Sequence, residues 1–134
     1  MWAGLGYYSR GRRLHEGACK VVRELGGVMP TTAEALAHQL PGVGRYTAHA
    51  IASIAFGQPV GVVDGNVVRV LCRHRAIGAL SSSKEVLEAL WGLADETVCP
   101  ERPGDFNQVS SIRPEWPWQG PHTHGARFLC LVCW

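Results

Sequence analysis

The stretch "LPGVGRYTAHAI", residues 40–51, decides how this chain reads. Two glycines, Gly42 and Gly44, flank Val43 just after Pro41, and the text on either side is helical. Glycine accepts positive φ and lets another backbone come close. Pro41-Gly42-Val43-Gly44 therefore reads as a tight turn between two helices, with Val43 as a plug. The second helix then begins with its free amides facing outward. A helix start carries about half a positive charge and binds anions such as phosphate. Arg45 and Thr47 sit at that same end and add to the grip. An ordinary helix–helix turn uses the same residue types, and a GxG by itself has little specificity.

Working outward, apolar spacing predicts five helices in all, the two beside the hairpin included. Residues 9–25 place Leu14, Ala18, Val21, Val22 and Leu25 on one face, with Ser9 as N-cap and Gly26-Gly27 as the stop. Thr32 caps a short helix through about Gln39. The helix after the hairpin runs from about Arg45 to Ala55, with Ile51, Ile54 and Ala55 inward. Another starts near Asp64 and ends near His74. The last, from Lys84 to Val98, turns Leu87, Leu90, Trp91, Ala94 and Val98 inward. No alternating strand pattern of comparable length competes, so the expected fold class is all-α.

Composition narrows the class. The chain has 134 residues, of which 46 % are apolar and 18 % charged. That length suits one domain with a modest core. No apolar run approaches the roughly 20 residues that span a bilayer. Five cysteines at irregular spacings do not suggest a disulfide framework. The net charge of +2 is unevenly spread: residues 1–75 hold nine Lys/Arg against four Asp/Glu, and residues 76–134 hold four against seven. A basic first half suits an anionic partner such as nucleic acid.

Three motifs now carry a family resemblance. "LPGVGRYTAHAI" resembles the helix-hairpin-helix of the DNA glycosylases related to endonuclease III. "VVDGNVVRVLCR", residues 62–73, resembles the segment that supplies the catalytic aspartate of that superfamily. "WAGLGYYSRGRRL", residues 2–14, narrows the match to adenine DNA glycosylases of the MutY type. The resemblance runs from Trp2 to about Gln108, and residues 1–108 are expected to form a partial helix-hairpin-helix glycosylase domain.

The resemblance implies roles for particular residues. At the hairpin, Leu40, Gly42, Val43, Gly44, Arg45 and Thr47 would hold a DNA phosphate, in that family often with a monovalent cation on the other side. Asp64 would stabilise positive charge on a sugar as the glycosidic bond breaks, or bond transiently to the anomeric carbon as in retaining glycosidases. Asp64 is equally the residue type expected at an N-cap, and the two readings can hold together. Asn66 and Tyr46 would support it. Bifunctional relatives place a lysine where Tyr46 stands; a phenol forms no imine, so the implied reaction is base removal without strand cleavage. Tyr7 would wedge into the duplex while the target base leaves the stack, and Leu5 would lie near the opposing base. The removed base would be adenine and the opposing base 8-oxoguanine. Arg10, Arg12 and Arg13 read as general phosphate-facing charge.

The chain departs from the family in three places. The general acid of the family is a glutamate on a helix upstream of the "WAGLGYYSR" segment, and neither Glu16 nor Glu24 lies on the matching element. The family's [4Fe–4S] cluster takes four cysteines spaced C-x6-C-x2-C-x5-C after "PGDFNQ", residues 103–108, whereas only Cys130 and Cys133 follow here. Cys19 and Cys72 read as packing residues. From about Val109 the text turns to prolines, glycines and three tryptophans, an irregular tail expected over 109–134 and unlike the family. Both ends read as cut from something longer. The expected partner is duplex DNA with adenine opposite 8-oxoguanine, in the nucleus and mitochondrion. The competing expectations are a non-catalytic DNA-binding fragment and an endonuclease III-like glycosylase for another base. On this reading the 134 residues alone excise adenine poorly, for want of the acid.

Overall fold

Every helix expected from the spacing forms, and a sixth follows. A computed structural model of the chain describes Gly6 and residues 8–112. The elements are α1 (Tyr8–Glu24), α2 (Ala33–Gln39), α3 (Arg45–Phe56), α4 (Gly65–His74), α5 (Lys84–Thr97) and α6 (Pro103–Ile112), with no strand among the described residues. They group into two compact units whose boundary falls inside α3, after Ala48.

In the first unit, Thr32 caps α2: its side-chain oxygen accepts the Ala35 amide at 3.2 Å. Thr32→Ala should lower stability by about 1 kcal/mol, read from the urea midpoint at an unchanged slope. Ala33, Leu36 and Leu40 from α2 and Ala48 from α3 are buried. The end of α1 is as expected, with Gly26 and Gly27 at φ +61° and +83° and the Gly27 amide reaching back to the Val21 carbonyl at 2.9 Å. Its start is earlier, so Ser9 lies inside the first turn rather than at the cap. The expected inward face of α1 is not buried. Leu14 and Val22 are 72 % and 69 % exposed, Ala18 is exposed, and Val21 and Leu25 are only half-buried. Helical spacing says which residues share a face, but not what covers that face.

In the second unit, the core joins Val63 and Val67 to Leu90, Trp91 and Ala94 of α5, with Val98, Cys99 and Phe106 beside the start of α6. Ser83 caps α5, accepting from the Val86 amide at 3.3 Å. Of the face expected on α5, Leu90, Trp91, Ala94 and Val98 are buried and Leu87 half-buried.

On α3 the expected face is corrected. Ile54 is 51 % exposed and Ala55 exposed; Ala48, Ala52 and Ser53 are buried instead. Gly104 explains the choice of small residues. A Cβ added there would stand 2.9 Å from the Ile54 Cα and 3.0 Å from the Ser53 carbonyl oxygen, so backbone meets backbone. Ser53 meets no penalty for burial because its hydroxyl donates to the His49 carbonyl at 2.8 Å.

The expected break after Gln108 falls within α6, which carries residues 109–112 as helix. Pro103 occupies its first position, where a missing N–H costs nothing. The rest of the expected irregular tail, 113–134, lies outside the described residues, as do Leu5 and Tyr7.

Candidate functional site

The hairpin turns as the sequence predicts, but its two glycines differ. Leu40 ends α2 with its amide on the Leu36 carbonyl at 3.2 Å, and the Val43 amide points back to the Leu40 carbonyl at 3.4 Å. Gly42 has φ +74°, where a side chain is strained. The space beside its Cα is taken by Arg13, whose side-chain carbons would lie 2.4–3.0 Å from an added Cβ. Arg13 thus packs on the hairpin as well as carrying charge near it. Gly44 has an ordinary φ, and a Cβ added there would meet nothing within 4 Å. Its carbonyl accepts the Ala48 amide at 2.9 Å, so it occupies the N-cap of α3 without a side chain to cap it. The amides of Tyr46 and Thr47 make no hydrogen bond among the described residues. Gly44, Arg45, Tyr46 and Thr47 are all exposed. Open amides at Tyr46 and Thr47 give this helix start the geometry that favours an anion.

In the second unit, Asp64 is the N-cap of α4. Its Oδ1 accepts the amides of Asn66 and Val67, both at 2.8 Å. Its Oδ2 has no partner among the described residues, and the side chain is half-buried. One oxygen is thereby fixed and the other left open. Both readings of Asp64, cap and reactive carboxylate, fit this geometry. Asn66 is more engaged than expected. Its Nδ2 donates to the Ser111 carbonyl at 2.5 Å, and its Oδ1 accepts from Arg69. It braces α4 against α6, close in sequence to the carboxylate.

Three residues near Asp64 had no role assigned from the sequence: His49, Asp95 and Asn107. All three hold the main chain that leads to Asp64. Asn107 lies inside the "PGDFNQ" stretch, which the sequence offers only as the landmark before the cluster cysteines.

Among the described residues no three His, Cys, Asp or Glu side chains stand together in a way that could hold an ion. Cys19 and Cys72 are free thiols, and Cys72 packs on the α4–α5 core as expected. The described residues do not by themselves fit a four-cysteine cluster. Cys130 and Cys133 lie outside the described residues. No described helix is long and apolar enough to cross a membrane.

Comparison with known proteins gives the family. Residues 1–96 match the family model described as "HhH-GPD superfamily base excision DNA repair protein". An adenine DNA glycosylase of Homo sapiens is 74 % identical over 110 residues, which is 82 % of this chain and 20 % of that protein. One from Schizosaccharomyces pombe is 48 % identical over 110 residues, 81 % of this chain and 24 % of that protein. The chain thus spans about a fifth to a quarter of the length of these relatives. A solved structure titled as a thermostable thymine-DNA glycosylase superposes with a TM-score of 0.68 at 33 % identity, covering 83 % of this chain and 52 % of that one.

Proposed function

This chain belongs to the HhH-GPD superfamily of base excision DNA repair proteins, and on that premise we propose that it is part of an adenine DNA glycosylase. The reaction is hydrolysis of the N-glycosidic bond of adenine opposite 8-oxoguanine in duplex DNA. The observation that carries this reading is Asp64, with Oδ1 held by two amides and Oδ2 open. Adenine relatives at up to 74 % identity favour adenine over the thymine of the structural neighbour's title.

In the proposed mechanism the bond between the sugar C1′ and adenine breaks and its electron pair leaves with the base. An acid must supply the proton that neutralises the leaving adenine. Positive charge builds on the sugar, where the open oxygen of Asp64 lowers its energy. Water then adds its oxygen to C1′ and gives up a proton, leaving an abasic site and an intact strand. Tyr46 on the first turn of α3 offers no amine to the sugar, in keeping with a monofunctional enzyme. The hairpin amides and Arg45 hold a backbone phosphate. A monovalent cation there would draw on hairpin main-chain oxygens. The work belongs where such mispairs arise, in nuclear and mitochondrial DNA.

Gly44→Asp tests the phosphate grip. The site is open and its φ ordinary, so the fold tolerates a side chain. Aspartate is a better N-cap than glycine, and stability should rise by a few tenths of a kcal/mol. Its charge would meet the phosphate, so affinity for every duplex should fall about tenfold or more, with the dependence of log K on log salt shallower by about one. Fluorescence anisotropy across a salt series measures both. Unchanged affinity in a folded variant would remove the hairpin from the DNA interface.

A further inference from the structure

An extended, buried segment inside an all-helical protein has no strand neighbours. Residues 60–62 form such a segment: Gly61, Val62 and Val63 are buried, and the main chain is neither helix nor strand. Buried amides and carbonyls without partners would each cost about 1–3 kcal/mol. Here side chains take the place of strands on both edges. On one edge the carboxamide of Asn107, only 3 % exposed, donates from Nδ2 to the Val60 carbonyl at 2.9 Å and accepts the Val62 amide on Oδ1 at 3.2 Å. Bonding the carbonyl of one residue and the amide two further on is the pattern a parallel neighbouring strand would make. On the other edge the Gly61 amide donates to Asp95 Oδ1 at 2.7 Å. The Gly61 carbonyl lies 2.8 Å from His49 Nδ1, the donor in this pair. The His49 ring is itself set by an edge-on contact with Trp91, centroid to centroid 4.9 Å. Four consecutive main-chain polar groups are thus held by three side chains from α3, α5 and α6.

We propose that Asn107 and Asp95 are positioning residues for Asp64: by clamping residues 60–62 from both edges, they fix where the open Oδ2 points. Asp64 follows the clamped segment by two residues, and its Oδ1 is already pinned to the α4 amides. The direction in which the main chain enters the cap then sets the remaining freedom of the carboxylate. Solvation of the segment alone could be met by water, but a two-edged clamp removes its rotation as well. The proposal rests on Asp64 as the reacting carboxylate, and it is tested without DNA or turnover, so it can fail separately from that reading.

The test is native-state hydrogen exchange on the whole chain, resolved by NMR. The Asn66 and Val67 amides report the Asp64 cap, and the Leu90 amide reports the fold. Asn107→Ala should speed exchange at Asn66 and Val67 at least tenfold and leave Leu90 within twofold. Asp95→Ala, at an exposed position, should do the same from the other edge. Asp95→Asn retains an acceptor oxygen for the Gly61 amide and should restore protection. Equal acceleration at Leu90 would show general destabilisation and overturn the proposal, as would unchanged exchange at Asn66 and Val67 in a folded variant. If Asn107→Ala does not fold, Asp95→Ala decides; loss of the fold there too would overturn it. Failure of Asp95→Asn to restore protection would overturn the role of Asp95.

Discussion

Asp64→Asn is expected to slow adenine release about a thousandfold while leaving the fold intact. The geometry separates the two roles of this side chain. Asparagine keeps an acceptor oxygen for the Asn66 and Val67 amides and ranks with aspartate as an N-cap, so the α4 start survives. What disappears is the negative charge on the open oxygen. A unit charge about 4 Å from the developing sugar cation is worth about 4 kcal/mol at an effective dielectric near 20, which is roughly three orders of magnitude in rate. The rate is measured as single-turnover adenine release from a duplex with adenine opposite 8-oxoguanine. The protein for this assay joins these residues to the acid-bearing upstream segment of a MutY-type relative. Residues 1–134 alone are expected to be slower by the contribution of the acid, about 10²- to 10⁴-fold. An Asp64→Asn protein with full activity would take the carboxylate out of the mechanism. Robust release by residues 1–134 alone would show that the acid lies within them.

Gly61→Ala should cost about 3 kcal/mol, the upper end of the range for overpacking. A Cβ there would stand 2.4 Å from the carbonyl carbon of Ala94 and 2.5 Å from its oxygen. These are main-chain atoms of α5 and cannot swing aside as a flexible side chain would. Either α5 moves off the core or residues 60–62 slip from their three side-chain partners. Against a typical total of 5–15 kcal/mol, the loss should lower the thermal midpoint by roughly 10 °C. Gly92→Ala is the control. Gly92 lies within α5 and has nothing within 4 Å, so alanine should stabilise by roughly 0.5–1 kcal/mol. Circular dichroism melts of both proteins would show opposite shifts. Equal midpoints for Gly61→Ala and the parent would mean that the close approach to Ala94 carries no constraint.

Much of this was legible in the sequence because it depends on neighbours along the chain. Caps are local: Thr32, Asp64 and Ser83 each bond an amide two or three residues on, and a side-chain oxygen so near the helix start needs no distant partner. The first two are legible in the sequence itself, where the family resemblance also implies the reactive role for Asp64. The hairpin was legible for the same reason, since Gly42 and Gly44 act through their own backbone. The length of α3 followed from its apolar run, but its inner face did not. Large apolar residues point to Ile54, whereas Gly104 closes on the main chain at Ser53 and Ile54 and the buried side chains are those of Ala52 and Ser53.

The sequence by itself determined five of the six helices, the bare helix start after Gly44 and the carboxylate at the head of α4. Each follows from periodicity and capping within about a turn of chain. Only the tertiary structure decided that Arg13 lies across Gly42, that Asn66 braces α4 to α6, and that His49, Asp95 and Asn107 meet around residues 60–62. Asn107 lies 45 residues from the amide it accepts and Asp95 lies 34 from its own. A polar residue at such a distance leaves no periodic trace, because what selects it is the need of a buried, strandless backbone for partners that its neighbours in the chain cannot reach.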